Sequence, residues 1–503
     1  MTDILDFMDT MVEAIEIRNP ATNEPVGSVN TARASDVEEA VSRARSAQSS
    51  WAQKGWSYRA RVVKRFHDLI LDRSARIFDV IQSETGKARR DALAELVTVA
   101  GTARYYIAHG EGHLSDRRRR GAVPLLTRAE IVYRPHGVVG LITPWNYPFL
   151  LPIADALPAL LAGNAVVIKP SEVTPLSAQL GRELLLESGL DPNLLLLVHG
   201  RGDVGAELIR HVDYVGFTGG TETGRKVAIT AAERLLPYSL ELGGKNPMVV
   251  LKGAPLEQAA TGLLAGAFSN SGQTCISIER VYVEDSVFDE FAGHVVSGAS
   301  RMKIGWSGSW DTDMGSLISG AHAARVMGHV DDAVLQGATI LAGGRRREDL
   351  GPSFVEPTIV TGVQPGMMIA EQETFGPVIS LFRVGGAEEA ISCANDSSYG
   401  LNASVWSKDA GHARQIARRL ETGSVAVNST LMIYNTFDVP MGGVKRSGIG
   451  RRHGEQGILR YTQAQSIVTS FTAAGGYDAM LSRMRGDAWV NRLLDILRLW
   501  RRI

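Results

Sequence analysis

Hydrophobic residues recur at three- and four-residue spacing through residues 35–110, as in Val62, Val63, Phe66, Leu69 and Ile70, with charges between them. That spacing predicts amphipathic helices. Beyond residue 137 the period changes. Short β-branched runs at 138–143, 165–169, 195–199, 214–218, 238–242 and 247–251 predict strands, and helical patterns at 151–161, 176–187, 204–210 and 222–234 lie between them. Strand and helix alternating at this spacing predict a doubly wound parallel sheet, which binds ligands at the carboxyl ends of its strands. A second alternating series spans 253–443, with strands at 280–284, 378–382, 402–406 and 424–428. The class is therefore α/β with two domains, and 458–469 is expected as a late strand returning to the first half.

Composition narrows the picture. The chain has 503 residues, more than one hydrophobic core usually supports. Its 44% hydrophobic and 21% charged residues exclude a disordered or fibrous chain. A formal net charge of -1, from 53 basic and 54 acidic residues, gives no reason to expect a nucleic-acid partner. Two cysteines, Cys275 and Cys393, cannot build a disulfide framework. With an acidic N-terminus and an apolar stretch at 149–168 broken by Pro152, Asp155, Pro158 and Asn164, the expectation is a soluble cytoplasmic protein.

Three features stand apart. The arginine run from Arg117 to Arg120 reads as a solvated loop, with an anionic partner as the alternative. His109 and His113 lie four apart, but the glycines between them weaken a helix and the glutamate is misplaced for a zinc motif, so no metal is expected. The tail 476–503 carries six arginines against three aspartates, with Trp489, Leu493, Leu497 and Trp500 at helical spacing. Packing within an oligomer and peripheral contact with a membrane surface are both open to it.

Five segments carry candidate chemistry. The turn Gly219-Gly220 after a strand, with Gly224 in the helix beyond, suits a pyrophosphate or a structural turn equally. Lys169 and Glu172 follow another strand end, where they fit ribose hydroxyls or solvent. Cys275, in a small polar stretch, is a nucleophile or core filler; Cys393, on an apolar helical pattern, reads as filler. Glu241 before two glycines is a general base or an ion-pair partner. Asn146, held between prolines, is an oxyanion donor or a turn residue.

Taken in order, PWNYP at Pro144, KPSE at Lys169, FTGGTETG at Phe217, ELGGK at Glu241, GQTC at Gly272, ETFGPV at Glu373 and PMGGVKRSGIGR at Pro440 resemble the NAD(P)-dependent aldehyde dehydrogenase superfamily over about residues 15–469. The resemblance implies a Rossmann-like cofactor domain at 1–119 and 138–243, a catalytic domain at 244–443, and an oligomerisation hairpin and strand at 120–137 and 458–470, bridging a homodimer or homotetramer. It implies Cys275 as nucleophile, Asn146 and the Cys275 N–H as oxyanion donors, and Glu241 as the base for water. Lys169 and Glu172 would face the adenosine ribose, residues from Gly219 to Gly224 the pyrophosphate, and Glu373 with Phe375 the nicotinamide ribose. Ile142, Thr143, Pro144, Trp145, Ser171, Gly202, Gly205, Phe217, Thr218, Thr221 and Leu242 would complete the cofactor site, with Tyr147, Thr274, Ile276 and Phe437 in the substrate pocket.

The carboxylate at Glu172 would accept from a free 2′-hydroxyl and repel a 2′-phosphate, which favours NAD while leaving NADP possible. The runs CISIERVYVE, MGSLIS and GVKRSGIGRRHG are similar to a succinate-semialdehyde dehydrogenase subgroup. A second carboxylate on the substrate needs a cation, and the loop 429–437 has no Arg or Lys. That departure favours an apolar aliphatic or aromatic aldehyde. A binding protein that kept the fold without the activity is the alternative of another class.

Overall fold

The computed structural model describes residues 13–122, 126–471, 476, 478, 482 and 486–500. Four helices, Ala34–Gln53, Gly55–Asp72, Ser74–Thr85 and Arg89–Leu114, fill the N-terminal region as the periodicity predicts. The last of them runs through both histidines that the glycines were expected to unwind. Tertiary contacts override propensity there: the Tyr105 hydroxyl donates to Asp438 at 2.8 Å, the Tyr106 hydroxyl donates to Gly454 O at 3.2 Å, and Gly110 packs so closely on Trp56 that a Cβ would meet its ring at 2.4 Å.

A six-stranded sheet follows, in the order Gly448–Ile449, Tyr238–Glu241, Tyr214–Thr218, Val138–Ile142, Ala165–Lys169 and Leu195–Leu197. All pairs are parallel except the one made by Gly448–Ile449. The chain winds outward from Val138–Ile142 in both directions, so the topological switch point, where such sheets open a crevice, lies at the end of that strand. These strands are buried on both faces, which is why they read as continuous β-branched runs. Val138, Val139, Ala165, Val166, Val167 and Ile168 are fully enclosed.

The second sheet has seven strands, in the order Thr339–Ala342, Thr358–Thr361, Val378–Val384, Ile278–Glu284, Asn246–Val250, Asn402–Trp406 and Ser424–Val427. One of its core clusters packs Met248, Val250, Leu263, Phe268, Val281 and Phe291 between sheet and helices. Cys393, on the helix Ala387–Asn395, packs at the margin of another.

Two compact units divide the chain. One takes in residues through His113 together with Pro135–Tyr461; the other comprises Leu114–Arg134 and residues from Thr462 onward. Both α/β sheets thus fall in one unit. The second holds a three-stranded sheet in the order Thr462–Ser470, Thr127–Pro135 and Arg117–Arg120. The arginine run is therefore a strand and not a loop. Arg117 pairs with Ile131 and Arg120 with Arg128 in an antiparallel ladder, and four identical residues carry no alternation from which a strand could be read. The late strand begins at Thr462, after a helix at Gly454–Leu459. Much of the tail lies outside the described residues; the helix Asp487–Trp500 is within them.

Candidate active site

The two large sheets are joined end to end. Glu241 closes a strand of the first, and the turn through Gly243 and Gly244 leads directly into Asn246–Val250 of the second. Asn146 follows the switch-point strand, Cys275 precedes Ile278–Glu284, and Glu373 and Phe375 precede Val378–Val384. Carboxyl ends of one sheet therefore meet amino ends of the other around a cavity of about 630 Å³, lined by Asn146, Glu241 and Cys275 among others.

The cysteine loop is built from strained backbone. Asn270, Ser271 and Gly272 have φ of 52°, 56° and 73°, a left-handed run that persists only when its surroundings fix it. Ser271 Oγ donates to Gly315 O at 2.9 Å, Asn270 Nδ2 to Gln273 O at 3.1 Å, and Ile318 N–H to Gln273 Oε1 at 2.8 Å. A side chain at Gly272 would meet Gly376 O at 2.1 Å, so the turn of GQTC admits glycine alone. Asn246 Nδ2 holds Cys275 O at 2.9 Å, and a Cβ on Gly244 would collide with that same carbonyl at 2.6 Å. The glycines after Glu241 thus let the base strand and the nucleophile loop approach each other.

Asn146 is held with equal care. Its carbonyl accepts from Lys87 Nζ at 2.8 Å and Asn270 Nδ2 at 3.0 Å, while its own Nδ2 donates to Gln273 O at 2.9 Å. An amide nitrogen has two N–H groups, so a second donor remains. Lys87 is buried and paired with buried Glu95 at 2.7 Å. Glu95 Oε2 in turn accepts the N–H groups of Phe149 and Leu150 at 3.0 and 2.9 Å. Tyr147 bonds Thr274 through their hydroxyls at 2.7 Å, linking the asparagine loop to the cysteine loop.

Burial dominates the electrostatics. It pushes the Cys275 thiol up to about 12; the Arg452 guanidinium opposes that rise, and the Glu373 and Glu241 carboxylates add to it. Burial likewise pushes Glu241 up to about 7, against Arg452 and Arg460, and leaves its Oε1 without a hydrogen-bond partner. Glu373 rises to about 8 through burial and neighbouring Glu279; it accepts from Gly244 N–H at 3.0 Å. Glu279, ion-paired with buried Lys245, also receives the N–H groups of Thr374 and Phe375, which anchors the Glu373–Phe375 loop.

Pro144, Trp145, Thr218, Gly219, Gly220, Leu242, Glu373 and Phe375 line one side of the cavity. Gly219 and Gly220 precede the helix Thr221–Glu233, whose first N–H groups suit an anion. Lys169 Nζ donates to Glu172 Oε2 at 3.1 Å. Ile142, Thr143, Lys169, Ser171, Glu172, Gly202, Gly205, Phe217, Thr221 and Gly224 belong to the same strand ends and their following turns, and are not among the lining residues. The Thr143 hydroxyl is buried and unpartnered. Glycines at a helix start, unpaired buried polar atoms and a cation–carboxylate pair together fit a dinucleotide.

The opposite side is lined by Ala94, Thr98, Tyr147, Leu150, Leu151, Ser269, Thr274, Ile276, Leu431, Tyr434 and Asn435. Phe437, expected in this pocket, lies elsewhere: its ring abuts Gly101 and meets His453 edge-on at 5.4 Å. The turn Met432–Asn435 carries Tyr434 inward in its place.

A family profile described as "Aldehyde dehydrogenase family" matches residues 7–467. The chain belongs to the aldehyde dehydrogenase family. Among curated relatives of this aldehyde dehydrogenase is a protein of Mycolicibacterium smegmatis, provisionally named succinate-semialdehyde dehydrogenase [NADP(+)], 45% identical over 91% of this chain and 88% of that protein. A 4,4'-diapolycopene aldehyde oxidase of a Methylomonas species is 38% identical over 90% of this chain and 85% of its own length. Among solved structures, a Mycobacterium tuberculosis aldehyde dehydrogenase complexed with NAD+ superposes with a TM-score of 0.87 at 33% identity, covering 91% of this chain and 95% of that one.

Within this aldehyde dehydrogenase, the described residues hold no cluster able to bind a metal and no helix long and apolar enough to cross a membrane. Sequence reasoning missed Lys87, Glu95, Glu279 and the substrate-side residues of the helix Arg89–Leu114. Their only signal was charge or apolarity at helical spacing, which solvated and core-facing helices share.

Proposed function

We propose that the protein oxidises an apolar aliphatic or aromatic aldehyde to its carboxylic acid, with NAD preferred to NADP. The observation that carries this is the convergence of Asn146, Glu241 and Cys275 on one cavity whose substrate side carries aliphatic, aromatic and hydroxyl side chains and no charge. Hydride leaves readily only from a tetrahedral alkoxide, so a nucleophile must add first. The Cys275 thiol must give up its proton to solvent before Sγ attacks the carbonyl carbon, which leaves Glu241 available as the base for water. Asn146 Nδ2 and the Cys275 N–H would receive the oxyanion of the thiohemiacetal. The dinucleotide, held by Lys169, Glu172, the Gly219–Gly220 turn and Glu373, supplies the hydride acceptor when bound. A thioester on Cys275 results, and Glu241 takes a proton from the water that releases the acid.

Succinate semialdehyde is the second reading, favoured by the name of the Mycolicibacterium relative. Its far carboxylate would need a cation. Arg325, a cation among the lining residues, binds the Glu373 and Thr374 carbonyls on the cofactor side. The Methylomonas relative's name points to an apolar aldehyde. An assay across hexanal, benzaldehyde and succinic semialdehyde should rank the first two above the third in kcat/KM; the reverse order rejects the apolar assignment. Run with both dinucleotides, the same assay should give a lower KM for NAD, because Glu172 disfavours a 2′-phosphate. A clear preference for NADP overturns that step.

Homo-oligomerisation, as dimer or tetramer, belongs to the same reading. Thr462–Ser470 is a nine-residue strand at the edge of its sheet, a position where a strand of another chain can add. The helix Asp487–Trp500 exposes Trp489, Val490 and Leu494 alongside Arg492 and Arg498, which supports peripheral contact with a membrane surface. Free Cys275 and Cys393 suit a reducing, cytoplasmic setting.

A further inference from the structure

Arg452 and Asp155 are buried charges with no part in the steps above. Arg452 Nε donates to Asp155 Oδ1 at 3.0 Å and Nη2 to Oδ2 at 2.7 Å, a bidentate pair. The same Nη2 bonds the hydroxyl of Thr218. Thr218 is the register partner of Glu241 on the adjoining parallel strand. The Arg452 backbone exchanges two hydrogen bonds with Met441, and the next residue, Gly442, lies so close to Glu241 that a Cβ there would sit 3.0 Å from Oε1. Three separate restraints therefore fix one guanidinium within electrostatic reach of the Glu241 carboxylate, outside ion-pair distance, while Glu241 Oε1 has no donor.

Charge balance gives that placement a role. Arg460 Nη2 also binds Asp155 Oδ1, at 2.7 Å. Arg452, Arg460, Asp155 and Glu241 thus form a buried group that is neutral only when Glu241 is ionised. The other titratable groups felt by Glu241 or feeling it are Arg451, which is tied to the Gly443 and Gly450 carbonyls, the Cys275 thiol, and the phenols of Tyr214 and Tyr434. We propose that Arg452 is a positioning residue: its guanidinium, clamped by Asp155 and Thr218, holds Glu241 as the anion that accepts the proton of water. This rests on reading Glu241 as the base.

The test measures two steps across pH on the full chain: formation of NADH in the first turnover, and release of acid from the acyl-enzyme. In Arg452→Gln the first step should slow somewhat, because the guanidinium also favours ionisation of Cys275, and the proposal is read from the second step. The acid limb of the second should move up by about one pH unit, slowing release at neutral pH by up to roughly tenfold. The direction follows from sign: loss of a nearby cation raises the acidity constant of a carboxyl group, so its base form appears later as pH rises. Arg452→Lys should restore the parent limb. A folded Arg452→Gln protein with an unmoved limb, or one matched in shift by Arg452→Lys, overturns the proposal. If Arg452→Gln fails to fold because Asp155 is left unpaired, Asp155→Asn keeps both guanidiniums and removes the opposing anion. The limb should then move down, and an unmoved limb refutes the proposal. Glu241→Gln separates the two layers: acid release as fast as in the parent would sink the base assignment itself, whatever Arg452 does.

Discussion

Replacing Cys275 by alanine is expected to lower aldehyde oxidation by roughly 10⁴-fold or more while dinucleotide affinity stays at the parent value. Ser269, Thr274 and Tyr147 also line the cavity, yet an alcohol or phenol is a weaker nucleophile near neutral pH than a thiol. Ser269 Oγ donates to Asp91, and Thr274 and Tyr147 bond each other. The other thiol, Cys393, lies against a different core. Cys275 is half-buried and its sulfur is not needed to fill a closed interior, so stability should change by no more than about 1 kcal/mol. Absorbance of reduced dinucleotide across an aldehyde panel, with calorimetric titration of NAD, checks both halves. Oxidation at a tenth of the parent rate would defeat the nucleophile assignment.

Lys87→Met is expected to cost about 3–5 kcal/mol of stability, the usual result of leaving one member of a buried ion pair uncompensated. The substitution keeps the volume and removes the charge. Glu95 would lose its cation, and the Asn146 carbonyl would lose the bond that fixes the loop carrying the oxyanion donor. The ammonium also sits 4.5 Å from the Tyr147 ring, so the wall of the substrate side loosens with it. The expectation is an early denaturant midpoint together with a fall in kcat beyond tenfold. A variant within 1 kcal/mol of the parent at full turnover would show that the loop is held by its prolines alone.

How much of this could be read from the sequence depended on where each signal is local. Ala165–Lys169 and Tyr214–Thr218 were legible to the residue because a fully buried parallel strand is a largely apolar run bounded by turn formers. Asn146, Glu241 and Cys275 were legible because each sits in a short motif at a strand end, and the structure brings all three to one cavity. Their supports were not. Lys87, Glu95 and Asp155 are charges on or beside helical patterns, and such charges ordinarily face water; only the assembled fold shows that Lys87 and Glu95 are buried against each other and Asp155 against Arg452 and Arg460. Gly448–Ile449 is two residues long, and Arg117–Arg120 repeats one side chain, so neither carries a period. Phe437 failed for a related reason. An aromatic in the substrate loop has two faces to choose from, and the Met432–Asn435 turn decides between them.

The pairing of Thr218 with Glu241 has a consequence for how this sheet can change over time. Side chains alternate between the faces of a strand, so one added or lost residue inside Tyr238–Glu241 would swing the carboxylate to the far side of the layer. Homologous descent can therefore exchange the residues ahead of Glu241 for others that fit the sheet but cannot alter their count, and length variation is confined to the turns on either side.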